Sequence, residues 1–254
     1  MTRVIKVGGR PQSDPTLPAI LAAAALRERG GLVVVHGGGD EVSRLQRALG
    51  IQASFAGGRR ITSRHDIDVV RMALSGGANK RLVAALVERG VRAVGISGED
   101  ASLIRAVPVD ASRLGYVGEP VHIDVALLTH LMDGGYVPVI SPVSRDDRGT
   151  LGTTLNVNGD DAAAAIAAAL GATELLLVSD VAGVIADGDV VRRIEPPNID
   201  GLVADGSVHG GMEAKLRAAA DALGRGVSRV RISDIAGIAD ATRGTMIEQT
   251  RELV

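Results

Sequence analysis

The stretch that decides the fold is "LNVNGDDAAAAIAAALGATELLLVSD", residues 155–180. A strand-like start leads into an alanine-rich segment that a glycine ends, and an apolar run of strand length follows. A strand, a helix and a second strand in direct succession predict a βαβ unit, whose two strands lie parallel in one sheet. Asn156, Asn158, Asp160 and Asp161 stand where the first strand meets the helix, although neither a core segment nor a solvent loop explains so polar a junction.

The same alternation of short apolar runs and alanine-rich helical stretches extends along most of the chain. The apolar runs are "RVIKV" (3–7), "GLVVVH" (31–36), "VRAVGIS" (91–97), "YVPVIS" (136–141), "ELLLVSD" (174–180) and "VSRVRIS" (227–233). Such runs are typical of strands that helices cover on both faces. We therefore expect an α/β fold, a three-layer αβα sandwich around a central, mostly parallel sheet. Two stretches without a crossover helix, 101–120 and 144–156, predict hairpins.

Composition excludes several classes of protein. The 254 residues are 46% hydrophobic and 23% charged, which is typical of a globular protein. A formal net charge of -2 gives no basic field for a nucleic acid. We expect no membrane partner and a cytoplasmic location, because no apolar run has the length of a span and the N-terminus lacks a signal peptide. The absence of cysteine excludes disulfides, thiolate metal sites and thiol nucleophiles.

Lysine is rare in a chain rich in arginine. Of the 28 basic residues only three are lysines, namely Lys6, Lys80 and Lys215. A lysine kept in such a chain indicates a need for a compact, rotatable ammonium group, which a planar guanidinium does not replace. Lys6 and Lys215 each lie close to a pair of glycines, so these two are candidate ligands of an anion.

Three glycine-rich segments follow strands or open helices, namely "KVGGR" (6–10), "HGGGDE" (36–41) and "HGGMEAK" (209–215). Glycines let backbone N–H groups approach an anion, and a helix N-terminus adds partial positive charge. The chain contains no Walker A motif, no G-x-G-x-x-G, no H-E-x-x-H and no G-x-S-x-G. Two lysines and three glycine turns at strand ends therefore predict a site for more than one phosphate-sized charge.

A series of motifs in fixed order resembles a known family. The motifs are "KVGG", "VVHGGG", "GGRRIT", "VGISGED", "LGYVGE", "VPVISPV", "NVNGDDAAAAIA", "LLLVSDVAGV", "GGMEAKL" and "GTMI". From about residue 3 to residue 247 the chain is similar to the amino acid kinase superfamily, and within it to the acetylglutamate kinases. The patterns G-x-R-x-T, N-V-N-x-D and G-G-M-x-x-K are the most specific to that branch.

The resemblance implies an activity and the residues that carry it. It implies transfer of a phosphoryl group from ATP, with Mg²⁺, to the γ-carboxylate of N-acetyl-L-glutamate, the second step of arginine biosynthesis. Lys6 and Lys215 would contact the transferred group, and Asp160 would orient them. A carboxylate nucleophile is already ionised at neutral pH, so no general base is needed. No residue is expected to bind the metal directly.

The resemblance also assigns the binding residues and the lobes. Those beside the acyl substrate would be Gly38, Gly39, Arg60, Asn156 and Asn158, with Arg60 as a bidentate carboxylate clamp. Those beside the nucleotide and its phosphates would be Gly8, Gly9, Ser179, Asp180, Gly183, Gly210, Gly211 and Met212. Residues 1–172 would form an N-terminal lobe for the substrate and dimerisation, and 173–254 a C-terminal lobe for the nucleotide. Asp161 is set aside as an ordinary first-turn acid, and helix capping alone is a competing interpretation of the asparagines.

Alternatives stay open at this point. One is a kinase for α-aminoadipate or glutamate attached to a small carrier protein, which the additional arginine in "GGRRIT" keeps possible. Another is a nucleotide-binding regulatory dimer without catalysis, and a third is another kinase of the superfamily, acting on carbamate, aspartate or a nucleotide. Arg10, Glu99 and Ala101 depart from the family pattern, and the segment near the end is short. We expect a homodimer without arginine feedback, because an N-terminal helix of hexameric relatives is missing, and 65–89 is the candidate interface.

Overall fold

The computed structural model describes residues 2–56, 59–148, 154–186 and 188–248. Its strands are β1 (Arg3–Val7), β2 (Leu32–His36), β3 (Phe55–Ala56), β4 (Arg59–Arg60), β5 (Ala93–Gly98), β6 (Ile104–Pro108), β7 (Val117–Ile123), β8 (Val137–Asp146), β9 (Thr154–Val157), β10 (Glu174–Val178), β11 (Ile185–Ala186), β12 (Asp189–Val190), β13 (Arg193–Ile194), β14 (Val230–Ser233) and β15 (Thr245–Ile247).

Its helices are α1 (Leu17–Glu28), α2 (Gly39–Ala48), α3 (Arg64–Arg71), α4 (Asn79–Val87), α5 (Ala111–Leu114), α6 (Val125–Asp133), α7 (Gly159–Ala169), α8 (Ile199–Ala204) and α9 (Gly211–Gly224). A π-helical segment, Met72–Ala78, joins α3 to α4. Short 3-10 turns occupy Arg10–Ser13, Asp100–Ser102, Pro196–Asn198 and Ile235–Ile238. Within these described ranges, no helix is both long and apolar enough to cross a membrane.

One large sheet connects most of the strands, in the order β13-β15-β14-β10-β1-β2-β8-β6-β7-β9, with β5 also on β8. Its centre is parallel, since β1 pairs in parallel with both β10 and β2, and β8 with both β2 and β5. The pairs β14–β15, β6–β7 and β8–β9 are antiparallel. The α/β fold with a mostly parallel sheet is therefore confirmed.

Buried side chains on both faces of the central strands produce the three layers. Val33 packs in one core cluster with residues of α7 and α9, whereas its neighbour Val34 packs in another with residues of α1 and α4. Leu175 and Leu176 of β10 divide in the same way. Successive side chains of a strand point to opposite faces, so continuous apolar runs need helices on both sides.

Both predicted hairpins are present. β6 pairs with β7, and the connection between them holds only the short helix α5. β8 pairs with β9, while residues 149–153 of that connection lie outside the described part of the chain. The strands that follow residue 172 and join the large sheet, β10 and β13–β15, all lie on one side of β1. The division of function between two lobes stays a prediction.

Candidate active site

The carboxyl ends of the parallel strands β1, β2 and β10 meet at one edge of the sheet. β1 leads into Gly8 and Gly9, β2 into Gly37 and Gly38, and β10 into Ser179. Ligands of open α/β sheets bind at this edge, because the loops that follow the strands converge there. Two of the three predicted anion-binding turns, 6–10 and 36–41, are therefore neighbours in space.

Two lysines and one aspartate form a buried charged cluster at this edge. Lys6 Nζ lies 2.7 Å from Asp160 Oδ1 as an ion pair, and Lys215 Nζ donates a hydrogen bond to Asp160 Oδ2 at 3.2 Å. All three side chains are nearly covered, with 5–13% of their surface exposed. Gly159, which precedes the aspartate, lies so close to Lys6 that a Cβ there would be 3.1 Å from Lys6 Cε. One carboxylate thus fixes two ammonium groups from distant parts of the chain.

Charge and burial oppose each other within this cluster. Burial by itself would raise the pKa of the Asp160 carboxyl, but the charges and hydrogen bonds of Lys6 and Lys215 outweigh it and lower that pKa. Burial lowers the pKa of the Lys6 ammonium, and the attraction of Asp160 offsets part of this effect. A bound phosphate would favour the charged ammonium further. The cluster is therefore suited to an anion that brings additional negative charge.

His36 supports the glycine turn from the core. Its Nδ1 lies 2.9 Å from the Gly37 carbonyl oxygen, so Nδ1 carries the proton and donates. Its Nε2 therefore accepts from Asn79 Nδ2 at 3.1 Å, and the same amide nitrogen donates to the Val139 carbonyl at 2.9 Å. The imidazole is fully buried, and burial lowers the pKa of His36 to about 4. A neutral histidine thus fixes the turn that opens α2.

Acidification from pH 8 to pH 5 is expected to lower the free energy of unfolding by about 2 kcal/mol through His36 alone, for a pKa of about 6.5 in the unfolded chain and about 4 in the fold. The unfolded chain binds the proton first, so the contribution is complete above pH 6.5 and is lost as the pH falls. Urea unfolding at several pH values measures it. His36→Asn should have a flatter profile over this window, and an equally steep one would contradict the assignment.

Gly38 adopts a backbone conformation that disfavours any side chain. Its φ is +152°, and a Cβ there would lie 2.7 Å from Cδ2 of Leu74 in the π-helical segment. Gly38→Ala is expected to destabilise the protein by about 1–3 kcal/mol, measured by urea unfolding. Gly76→Ala is the matched control, because no atom lies within 4 Å of its Cβ position. Equal stability of the two variants would contradict this interpretation.

A cavity of about 230 Å³ lies beside the lysine–aspartate cluster. The predicted site residues in its lining are Lys6, Gly9, Gly38, Gly39, Arg60, Asn156, Asn158 and Asp160. Lining residues that sequence reasoning missed include Val42, Phe55, Arg59, Val70, Leu74, Val117 and Pro142. One signal was available, since Phe55 is the single phenylalanine of the chain and directly precedes "AGGRR".

Arg60 is bound by the protein more extensively than a free carboxylate clamp would be. Its Nη1 donates to Gln46 Oε1 at 2.6 Å, and its Nη2 donates to the Gly39 carbonyl at 2.8 Å and to Ser43 Oγ at 2.7 Å. Its guanidinium also lies over the ring of Phe55, 4.7 Å from the centroid. Three of its five N–H donors are thus occupied by helix α2. A carboxylate would meet a pre-oriented guanidinium whose free donors are fewer than we expected.

The two asparagines have different partners. Asn158 is the N-cap of α7, and its Oδ1 accepts from the Asp160 backbone N–H at 2.8 Å. Asn156 lies on β9 and donates through Nδ2 to Thr62 Oγ1 at 3.0 Å. Asn158 therefore caps α7, and both asparagines also line the cavity. Their roles toward a substrate stay predictions.

Comparison with known proteins identifies the family. The model of the amino acid kinase family matches residues 1–234. An acetylglutamate kinase of Chloroflexus aurantiacus is 46% identical over 239 residues, which is 93% of each chain, and that of Geobacillus kaustophilus is 42% identical over 91% of this chain and 89% of its own. The chain belongs to the acetylglutamate kinase branch of the amino acid kinase family. A crystal structure of N-acetylglutamate synthase from Neisseria gonorrhoeae has a TM-score of 0.83 at 25% identity, covering 99% of this chain and 60% of that one.

In this family member the two glycines of the first turn, Gly8 and Gly9, have different contacts. The Gly8 N–H donates to the Val178 carbonyl at 3.3 Å, which differs from the expectation that it is available to a phosphate. Gly9 lines the cavity, and a Cβ there would lie 3.4 Å from the Gly39 nitrogen. Close packing of the two glycine turns therefore limits which N–H groups face a ligand.

The other six residues predicted for the nucleotide have three kinds of surroundings. Ser179 and Asp180 follow β10, and Asp180 Oδ2 accepts from Arg10 Nη1 at 2.6 Å across the site. Gly210, with φ +58°, and Gly211 open α9 with no atom within 4 Å of either Cβ position. The remaining two, Gly183 and Met212, are packed against neighbouring side chains. These contacts do not test nucleotide binding, which stays a prediction.

Two of the three residues at which the chain departs from the family pattern, Arg10 and Glu99, have ion-pair partners nearby in the fold. The Arg10 side chain is 74% exposed and pairs with Asp180, which lowers the pKa of that carboxyl. Glu99 accepts from Arg71 through both oxygens at 2.9 Å and from Thr154 Oγ1 at 2.5 Å. Ala101 has φ +49°, a conformation that glycine would adopt more easily. The departures at Arg10 and Glu99 are thus compensated by ion pairs.

Proposed function

We propose that this acetylglutamate kinase family member transfers the γ-phosphoryl group of ATP to the γ-carboxylate of N-acetyl-L-glutamate. The product is N-acetyl-L-glutamyl 5-phosphate, formed in the second step of arginine biosynthesis. The observation that carries this proposal is the buried Lys6–Asp160–Lys215 cluster beside a cavity that Arg60 and Asn156 line. That arrangement supports binding of a small dicarboxylate with one end at the lysines.

The lysines act on the charge that develops during transfer. The ammonium groups of Lys6 and Lys215 neutralise the oxygens of the transferred phosphoryl group, and burial strengthens their attraction for it. Asp160 holds both ammonium groups in place and remains ionised, because its pKa is lowered. The acceptor carboxylate attacks directly, so no residue has to remove a proton. His36 is buried and neutral, and it serves the turn instead of the chemistry.

The glycine turns fit the phosphates of a nucleotide. Helices α2 and α9 both begin at glycines, and the first N–H groups of a helix have no acceptor within it. Within the described residues no group of three or more His, Asp or Glu side chains could hold a metal ion. We propose that Mg²⁺ would enter with ATP and would supply neutralisation of the phosphate charge.

The direct test is ADP release with free N-acetyl-L-glutamate, followed in a coupled assay with ATP and Mg²⁺. Turnover with this acid, and much less with aspartate or carbamate, is the expected result. Turnover only with a carrier-bound α-aminoadipate or glutamate would favour lysine biosynthesis instead. Nucleotide binding in a thermal-shift assay without turnover of any acid would indicate a regulatory protein.

We also propose that the protein is a homodimer in contact through the helix that spans α3, the π-helical segment and α4. Met72 and Val87 on this helix each expose 53% of their surface. Burial of such side chains against a second copy is favourable. Light scattering on the wild type and on Met72→Glu tests the proposal. A monomeric wild type, or a variant that dimerises equally well, would contradict it.

A further inference from the structure

A second cleft lies directly behind one wall of the substrate cavity. It has a volume of about 520 Å³ and lies between β7 and the helices α7 and α9. Arg59 lines both the cavity and this cleft. Its guanidinium Nη2 lies 3.0 Å from Asp161 Oδ2, and the side chains are 30% and 23% exposed. This ion pair therefore stands where the two spaces meet.

Three elements run from one space into the other, which shows that the two are neighbours. On β7, Val117 lines the cavity, whereas Glu119 and Val121 line the cleft. On α7, Asp160 lines the cavity and the next residue, Asp161, lines the cleft. β4 contributes Arg59 to both. A molecule too long for the cavity would meet this ion pair before it could enter the cleft.

The proposed function determines which part of the substrate faces this wall. With the reacting carboxylate at the lysines and the α-carboxylate at Arg60, the N-acyl group would lie on the side of Asn156. Asn156 on β9 is paired with Val117 on β7, the strand that continues into the cleft. In that orientation the acyl group would point toward β7, whose residues line the cleft together with Arg59.

We propose that the Arg59–Asp161 ion pair closes the cavity and restricts the enzyme to short N-acyl groups such as acetyl. This proposal rests on the proposed function. The charges of the pair matter because the ion pair holds the Arg59 guanidinium in place between the cavity and the cleft. A longer acyl chain would have to displace a salt bridge and bring apolar carbon between two charges, which costs free energy.

The test compares kcat/KM for N-acetyl- and N-butyryl-L-glutamate in the wild type and in three variants. Arg59→Ala and Asp161→Ala open the wall, and the charge-swapped Arg59→Asp/Asp161→Arg closes it again. We expect the opened variants to raise kcat/KM for the butyryl substrate and to lower the preference for acetyl by about 10-fold, within the range for discrimination of one or two methylenes. The swapped variant should recover the wild-type preference.

Arg217→Ala is the matched control, because Arg217 lines the cleft but not the cavity. This variant should prefer the acetyl over the butyryl substrate to the same degree as the wild type. An increase in absolute kcat/KM for the longer substrate is a readout that damage to the fold would not give. The proposal would be overturned if both opened variants kept the wild-type preference, or if kcat/KM fell equally for both substrates. A wild type without turnover of N-acetyl-L-glutamate would instead refute the proposed function, and this inference with it.

Discussion

Lys215→Arg is expected to lower kcat by about 10³-fold, the upper range for loss of one pre-organised donor to a developing anion. The ammonium of Lys215 lies 3.2 Å from Asp160 Oδ2, with the side chain 13% exposed. A guanidinium keeps the charge but is planar and larger, so it does not place a donor at the same point. Lys6→Arg should have an effect of similar size, because Lys6 is buried against the same carboxylate.

The measurement is kcat from ADP release at saturating ATP and N-acetyl-L-glutamate, with thermal unfolding as a check on the fold. Arg217→Lys is the matched control, since this residue lies two positions along α9 in exposed ion pairs with Glu213 and Asp200. It should stay within about twofold of the wild type, because exposed pairs contribute little. Full activity in either Lys→Arg variant would remove that lysine from the phosphate site.

Asp160→Asn is expected to destabilise the fold by about 3–5 kcal/mol, which is the cost of removing one partner from a buried ion pair. Two ammonium groups would then remain side by side with no carboxylate between them, and each would repel the other. For a chain of this size the unfolding midpoint should fall by about 10 °C. Differential scanning calorimetry measures this change, and turnover should also fall because the lysines lose their common anchor.

Asp161→Asn provides the control for this change. It removes one negative charge from the same turn of α7, but its Arg59 partner is partly exposed, so we expect a loss below about 1 kcal/mol. A destabilisation by Asp160→Asn no larger than that of Asp161→Asn would show that the buried cluster does not contribute as the geometry indicates. Added phosphate that restores stability to Asp160→Asn would support an anion site between the lysines.

Much of the site was predictable because its residues lie in short motifs at strand ends. Lys6 and Asp160 were predicted as neighbours, and the structure brings them to 2.7 Å. The interpretation of Arg60 was incomplete, because its guanidinium donates hydrogen bonds to Gln46 and Ser43, which lie 14 and 17 residues away in the chain. No local pattern in "GGRRIT" indicates which donors of an arginine a neighbouring helix will occupy.

Asp161 shows the same limit more clearly. The helix dipole favours an acidic residue in the first turn of α7, and this alone accounts for Asp161 in the sequence. Only the structure shows that Arg59 lies 3.0 Å away, across 102 residues of chain. The ion pair between Arg71 and Glu99 was not predictable for the same reason, because α3 and the loop after β5 become neighbours only when the sheet has formed.

The sequence by itself determined the layered α/β fold, the edge of the sheet that carries the site, and the lysines and glycines suited to an anion. These follow from periodicity, from the missing side chain of glycine and from the shape of an ammonium group, all of which are local properties. The tertiary structure decided which donors of Arg60 remain free, how two lysines share one aspartate, and where Arg59 and Asp161 meet. Contacts between side chains depend on distances of a few tenths of an ångström between segments far apart in the chain, and only the packed fold fixes those distances.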